Sequence, residues 1–196
     1  MAAALSALTF AVAAEPDPIS YDYISAKYTW FSSIMNGFPA DIDGHATTID
    51  LSIDMRPHIA LIGGYTTGKA HVTSVGVTSN ADLDSYSFGV VIHAPVNDRT
   101  DALLGTSFIN GDVKVDGPLN GSEDINGGLS FIGFRSRISD YVELDGMIAK
   151  NSIAETSSIS VSLSAGYFVN DRLTINLGYA KNSQGDAISL GTTKYF

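Results

Sequence analysis

From residue 19 onward the chain repeats one pattern, an apolar residue at every second position, and this makes the β-strand its building unit. Leu173, Ile175, Leu177 and Tyr179 fall on one face of an extended segment, with Thr174, Asn176, Gly178 and Ala180 on the other. Ile159, Val161, Leu163, Ala165, Tyr167 and Val169 alternate in the same way with Ser160, Ser162, Ser164 and Gly166. So do Ile49, Leu51, Ile53 and Met55 with Thr48, Asp50, Ser52 and Asp54, and the series continues at Tyr86, Phe88, Val90, Ile92 and Ala94. Ten strands are predicted, over about 19–33, 44–56, 58–70, 85–96, 100–112, 127–138, 141–152, 158–169, 172–183 and 186–196. Eight is the alternative if one hairpin lies outside the membrane. Short connections fall at Arg56-Pro57-His58, Val96-Asn97-Asp98-Arg99, Ser139-Asp140 and Asn170-Asp171. Longer loops are predicted at about 34–43, 71–84 and 113–126, with shorter ones near 153–157 and 184–185.

The direction of the apolar face decides the fold class. A sandwich or a soluble barrel turns that face inward and shows water many Lys and Glu side chains. Here the polar partners are Ser, Gly, Thr, Asn and Ala, which suit a narrow interior. Only 16% of residues are charged, against about 25% in an average soluble domain. Nineteen glycines and a 10% aromatic share complete the mixture that a lipid-facing sheet needs. In hydrocarbon every backbone N–H and C=O needs an internal partner, so such strands must close on themselves. The expectation is an all-β, closed antiparallel transmembrane β-barrel, wound as an up-and-down meander. Short turns on one rim and longer loops on the other fit it. A hairpin unit recurs weakly as VVIHAPVNDRTDALLG, FRSRISDYVELDG and SAGYFVNDRLTINLGY, which convergent hairpin chemistry accounts for.

Residues 1–14 form a separate apolar element, and 15–196 the barrel domain. Ala11-Val12-Ala13 matches the small-x-small cleavage pattern of a signal peptide, and the run stops at Glu15-Pro16-Asp17-Pro18. No Lys or Arg precedes Lys27, so the expected basic start of such a signal is missing, and the start is read as truncated or misassigned. With no cysteine, disulfides and thiolate chemistry are excluded. A net charge of -10 argues against nucleic acid as a partner and against a basic membrane-surface patch.

The chain ends in DAISLGTTKYF, where Ser189, Gly191, Tyr195 and Phe196 lie in an aromatic-terminated strand. This resembles the assembly signal of bacterial outer-membrane barrels, although Lys194 stands where that signal has an apolar residue. The opening Ile19-Ser20-Tyr21-Asp22-Tyr23, the Gly63-Gly64-Tyr65 and Gly178-Tyr179 strand ends and the Asn-Asp-Arg turns are similar to small barrels of the OmpA/OmpX-like superfamily. The resemblance implies export to the cell outer membrane of a Gram-negative bacterium and no cofactor. It also implies barrel assembly machinery and periplasmic chaperones as biogenesis partners. The surroundings would be outer-membrane lipid and lipopolysaccharide, with a monomer favoured.

Chemistry is sparse. Arg135 and Arg137 share the polar face of one predicted strand, and Glu143 and Asp145 that of the next. A lumen charge network is expected from them, with Lys27, Asp50, Asp54 and His93 joining from other strands. It would serve either as a structural plug or as a charged constriction passing small ions. For an outer-membrane hydrolase, His71 with Asp82 and Asp84, or with Ser74, is the candidate; no Asp-x-His unit follows, and no acid evidently orients the histidine. His45 and His58 read as solvated or interfacial. Asp41, Asp43, Asp112, Asp116, Glu123 and Asp124 fall in predicted outer loops, without the glycine and terminal Glu of a calcium loop. Tyr21, Tyr23, Tyr28, Trp30, Phe31, Tyr141, Tyr167 and Tyr195 are candidates for interfacial aromatic girdles. The leading expectation is therefore a non-enzymatic outer-membrane protein of envelope integrity or surface interaction. A narrow passive channel and a protease or lipid acyl hydrolase are the alternatives.

Overall fold

The computed structural model describes residues 19–34, 40–118, 120–153 and 156–196, and there the period-two segments are all strands. They are β1 (Tyr23–Ile34), β2 (Ala40–Arg56), β3 (Ile59–Ser74), β4 (Val77–Asn97) and β5 (Thr100–Asp116). β6 (Gly121–Ser139), β7 (Val142–Ile153), β8 (Thr156–Asn170), β9 (Leu173–Asn182) and β10 (Gly185–Tyr195) follow. Each strand pairs antiparallel with its chain neighbours, and β10 returns to β1, so the sheet is a closed barrel of ten strands. The predicted signal peptide, residues 1–14, lies outside the described residues.

Register partners set the tilt. From Trp30 the partners run through His45, Lys69, Asp82 and Lys114 to Ser122 on β6. In the other direction they run through Ile188, Tyr179, Leu163 and Gly146 to Phe134 on the same strand, 12 residues away. With neighbouring strands about 4.8 Å apart and about 3.3 Å of rise per residue, that stagger tilts the strands by about 40° from the barrel axis.

The large apolar side chains of the membrane belt face outward. Ile49, Leu51, Ile53, Phe88, Leu104, Leu163 and Leu177 are exposed, while their polar alternates Thr48, Asp50, Ser52, Ser107 and Ser164 are buried inside. The four short-turn hairpins β2–β3, β4–β5, β6–β7 and β8–β9 each carry a register shift just before the turn. Asn97, Ser139 and Asn170 fold their side chains back to accept from the backbone N–H two residues on. This is the turn chemistry that makes such hairpins tight.

Three expectations are corrected. The predicted loops at 71–84 and 113–126 are strand: β3 and β4 meet at a two-residue turn, Val75-Gly76, with both φ angles positive (50 and 77). The pattern there keeps its period but reverses its sense. Ile42, Val72, Leu83, Val113 and Ile125 point inward and are buried, while Asp43, His71, Asp82, Lys114 and Asp124 point outward. This is a water-facing sheet around an apolar core, so the acidic residues placed in loops stand on strand faces. Of the predicted 34–43 and 153–157 loops, residues 35–39 and 154–155 lie outside the described residues. Second, the girdle assignment fails for Tyr21, Tyr23, Phe31 and Tyr195, which are buried in the lumen; Trp30, Tyr141 and Tyr167 are exposed as girdle residues are. Third, residues 19–22 are not part of β1.

Strand lengths are uneven. β2 to β6 run 16 to 21 residues, whereas β1, β7, β9 and β10 run 10 to 12. On β6, pairing with β7 starts only at Gly127↔Ile153, so residues 121–126 stand beyond it, about 20 Å along the strand. Half of the barrel wall thus rises as a collar above the rest.

Candidate functional site: the closed lumen

The structure brings Arg135 and Arg137 of β6 together with Glu143 and Asp145 of β7. Two-residue spacing keeps each pair on the inner face, and the β6–β7 register sets Arg135 opposite Asp145 and Arg137 opposite Glu143. The shortest contact is diagonal: Arg135 Nη2 donates to Glu143 Oε1 at 2.9 Å, and its Nε lies 3.8 Å from Asp145 Oδ1. Arg135 is 0% exposed, Glu143 2% and Asp145 9%. Ser164 from β8 donates to Asp145 at 3.2 Å. Arg137 donates to the Asp140 carbonyl at 3.0 Å and lies over the Phe168 ring at 4.4 Å.

Further charged groups line the lumen beside this network. Lys27 of β1 pairs with the fully buried Asp50 of β2 at 3.3 Å, and Ser25 adds a hydrogen bond. His93 of β4 has Asp54 3.5 Å from one ring nitrogen and Asp101 3.4 Å from the other. Tyr21 completes this group. Its ring stacks on His93 with centroids 3.7 Å apart, and its hydroxyl donates to Asp101 at 2.7 Å. Neither Tyr21 nor Asp101 was expected in the lumen network. The alternation that placed Tyr21 near Tyr23 carries no sign that the segment leaves the wall.

The lumen is two-faced and full. β1 and β8 to β10 line it largely with Ser, Thr, Asn and Gly, interrupted by Tyr23, Lys27, Phe31, Phe168 and Tyr195. β3 to β7 contribute Ile62, Val91, Leu103, Leu129, Phe131 and Met147, all buried. The Phe131 ring lies over Gly105, its register partner on β5, and an added Cβ there would clash with it. Among the described residues, cavities of about 10 Å³ lie against Lys27, Asn176 and Thr193 and against Tyr23, Leu103 and Met147. Each holds about one water molecule.

No protein-family model matches the chain, and no curated protein matches it. Solved structures do. The translocator domain of the autotransporter NalP from Neisseria meningitidis aligns at TM-score 0.56 and 11% identity, over 91% of this chain and 90% of that one. The transport unit of the autotransporter AIDA-I from Escherichia coli aligns at 0.54 and 13%, over 90% and 91%. The beta domain of the Bordetella autotransporter BrkA aligns at 0.50 and 12%, over 90% and 100%. The fold is that of an outer-membrane β-barrel.

In this outer-membrane barrel the remaining candidates fall on the outside or at the rims. His71 stands on the outer face of the collar, its Nδ1 2.9 Å from Asn80 Oδ1. Asp82 is 3.7 Å from Lys69, and Asp84 accepts from the Tyr65 hydroxyl at 2.7 Å, so neither acid is aimed at the histidine. His45 stacks on Tyr28 with centroids 5.4 Å apart, and His58 occupies a short turn with φ 76. Asp112 lies 3.4 Å from Lys114, and among the described residues no group of three His or carboxylate side chains converges on a metal position. Of the proposed assembly residues, Ser189, Gly191 and Tyr195 face inward and Phe196 outward. Gly191 is needed for packing as well, because an added Cβ would meet Lys27 Cβ at 2.7 Å.

Proposed function

We propose that the chain is a non-enzymatic structural barrel of the outer membrane, serving envelope integrity and presenting its collar at the cell surface. The observation that carries this reading is the filled lumen. Its charges are paired and buried, Phe131 packs inside over Gly105 of the neighbouring strand, and buried apolar side chains fill it at collar level. Buried, hydrogen-bonded ion pairs fix a structure; they serve conduction poorly. By this reading the short turns face the periplasm and the collar faces outward. Outer-membrane lipid and lipopolysaccharide surround the belt, the barrel assembly machinery and periplasmic chaperones act during insertion, and the barrel works as a monomer. Kinship with OmpA/OmpX-like barrels rests on the sequence motifs alone. The buried side chains that fill the lumen argue against a passenger-translocating role.

A narrow channel is the second reading, favoured by the polar wall of β1 and β8 to β10 and its small cavity beside Lys27. Planar-bilayer recording separates the two. The purified full chain is expected to add no stepwise conductance. Unitary steps that change on Arg135→Ala would overturn the structural reading in favour of the channel.

A further inference from the structure

Residues 19–22 precede β1 and join no strand, yet they are held by four different strands on the short-turn side of the lumen. Asp22 Oδ1 accepts from the Asp54 N–H of β2 at 2.7 Å. Tyr21 stacks on His93 of β4 and donates to Asp101 of β5. Arg135 of β6 donates to the Ser20 carbonyl at 3.3 Å and places its guanidinium 5.2 Å from the Tyr21 ring centroid. β6 lies opposite β1 in the ring of strands, so the segment spans the mouth from wall to wall.

What it covers is unusual. Arg135 lies close to the β6 end at Ser139, and Glu143 is the second residue of β7. Charged side chains that near an open rim would be wet. Both are sealed, Arg135 at 0% and Glu143 at 2% exposure, and Tyr21 above them is itself 1% exposed. The phenol therefore sits in a site made for it: a flat imidazole stacked on it, a carboxylate for its hydroxyl and a guanidinium over its ring.

We propose that residues 19–22 form a displaceable lid over the periplasmic mouth, and that Tyr21 occupies in cis a site able to bind phenols. The inference goes beyond the closed-barrel reading and takes the filled lumen as its starting point. Apart from the Phe196 N–H, which donates to the Asp22 carbonyl at 3.2 Å, the lid is tied through side chains, so Ser20 and Tyr21 lift away while the sheet stays intact. Opening it wets the Arg135–Glu143 network and leaves the barrel closed at collar level.

The full chain contains no cysteine, so Ser52→Cys supplies a single reporter; Ser52 is 1% exposed and shares a cavity with Tyr21 and Tyr23. The refolded barrel is treated with a water-soluble methanethiosulfonate reagent. Slow labelling is expected with Tyr21 present. Tyr21→Ala should label about tenfold faster, the loss expected for one charge-assisted hydrogen bond and a stacked ring. Tyr21→Phe should fall between. Added p-cresol should slow the alanine variant back toward the parent rate and leave the parent unchanged. Equal labelling of parent and Tyr21→Ala overturns the lid, and acceleration that p-cresol does not reverse overturns the phenol site. If Tyr21→Ala loses heat-modifiable migration on a gel, the segment is a structural staple and the lid is wrong. Fast labelling of the parent would overturn the lid and the closed lumen together.

Discussion

Arg135 is the residue on which the interior charge balance turns, since it faces Glu143 and Asp145 and is fully buried. Removing one member of a buried ion group strands the others, at a cost of about 3–5 kcal/mol. Arg135→Met is expected to lower the unfolding free energy by that amount, measured by urea titration in lipid vesicles with Trp30, the sole tryptophan, as reporter. Adding Glu143→Gln and Asp145→Asn should restore most of it. A loss for Arg135→Met below about 1 kcal/mol, no more than an exposed pair supplies, would show the network to be peripheral. This cluster was legible in the sequence because two residues on each of two strands, joined by a short turn, can meet only across one register. Tyr21, Asp101 and the lid were not. Their meeting depends on a segment crossing from β1 to β4, β5 and β6, and alternation reports only which face a residue takes.

At the scale of elements, the period-two pattern marked all ten strands, and polar turn residues marked the short-turn rim. The extensions of β3 to β6 were lost because strand recognition leaned on outward apolar residues. Above the belt those are replaced by Asp, Lys and His, while Val72, Leu83 and Val113 moved inside. The β3–β4 tip shows what that extension costs. Val75 is 85% exposed with φ 50, a left-handed conformation that strains a branched side chain. Val75→Asn would create the Asn-Gly pair that such a two-residue hairpin turn favours. It is expected to stabilise the hairpin by about 1 kcal/mol, read as slower amide exchange at strand positions beside the turn. Unchanged or faster exchange there would mean that the turn is not strained by valine.

On the scale of the whole molecule, the belt and the collar are different solvents' work. Leu177, 58% exposed on β9, faces hydrocarbon, where an arginine near the midplane costs about 2–4 kcal/mol. Ser122 points outward too, but from the collar, where a surface change stays within about 0.5 kcal/mol. Leu177→Arg and Ser122→Arg are therefore expected to differ sharply in vesicle unfolding titrations. Equal penalties would place the water boundary elsewhere on the barrel. The uneven strand lengths carry one more consequence. A barrel whose rim is level looks the same from every bearing in the membrane plane. This one has a tall flank from β2 to β6 and a low flank from β7 through β10 to β1, so it has a front and a back. Anything that meets it sideways, whether sugar chains of neighbouring lipids or another embedded protein, encounters a bulwark on one bearing and a threshold on the other. Its contacts at the surface are thereby given an azimuth before any specific recognition begins.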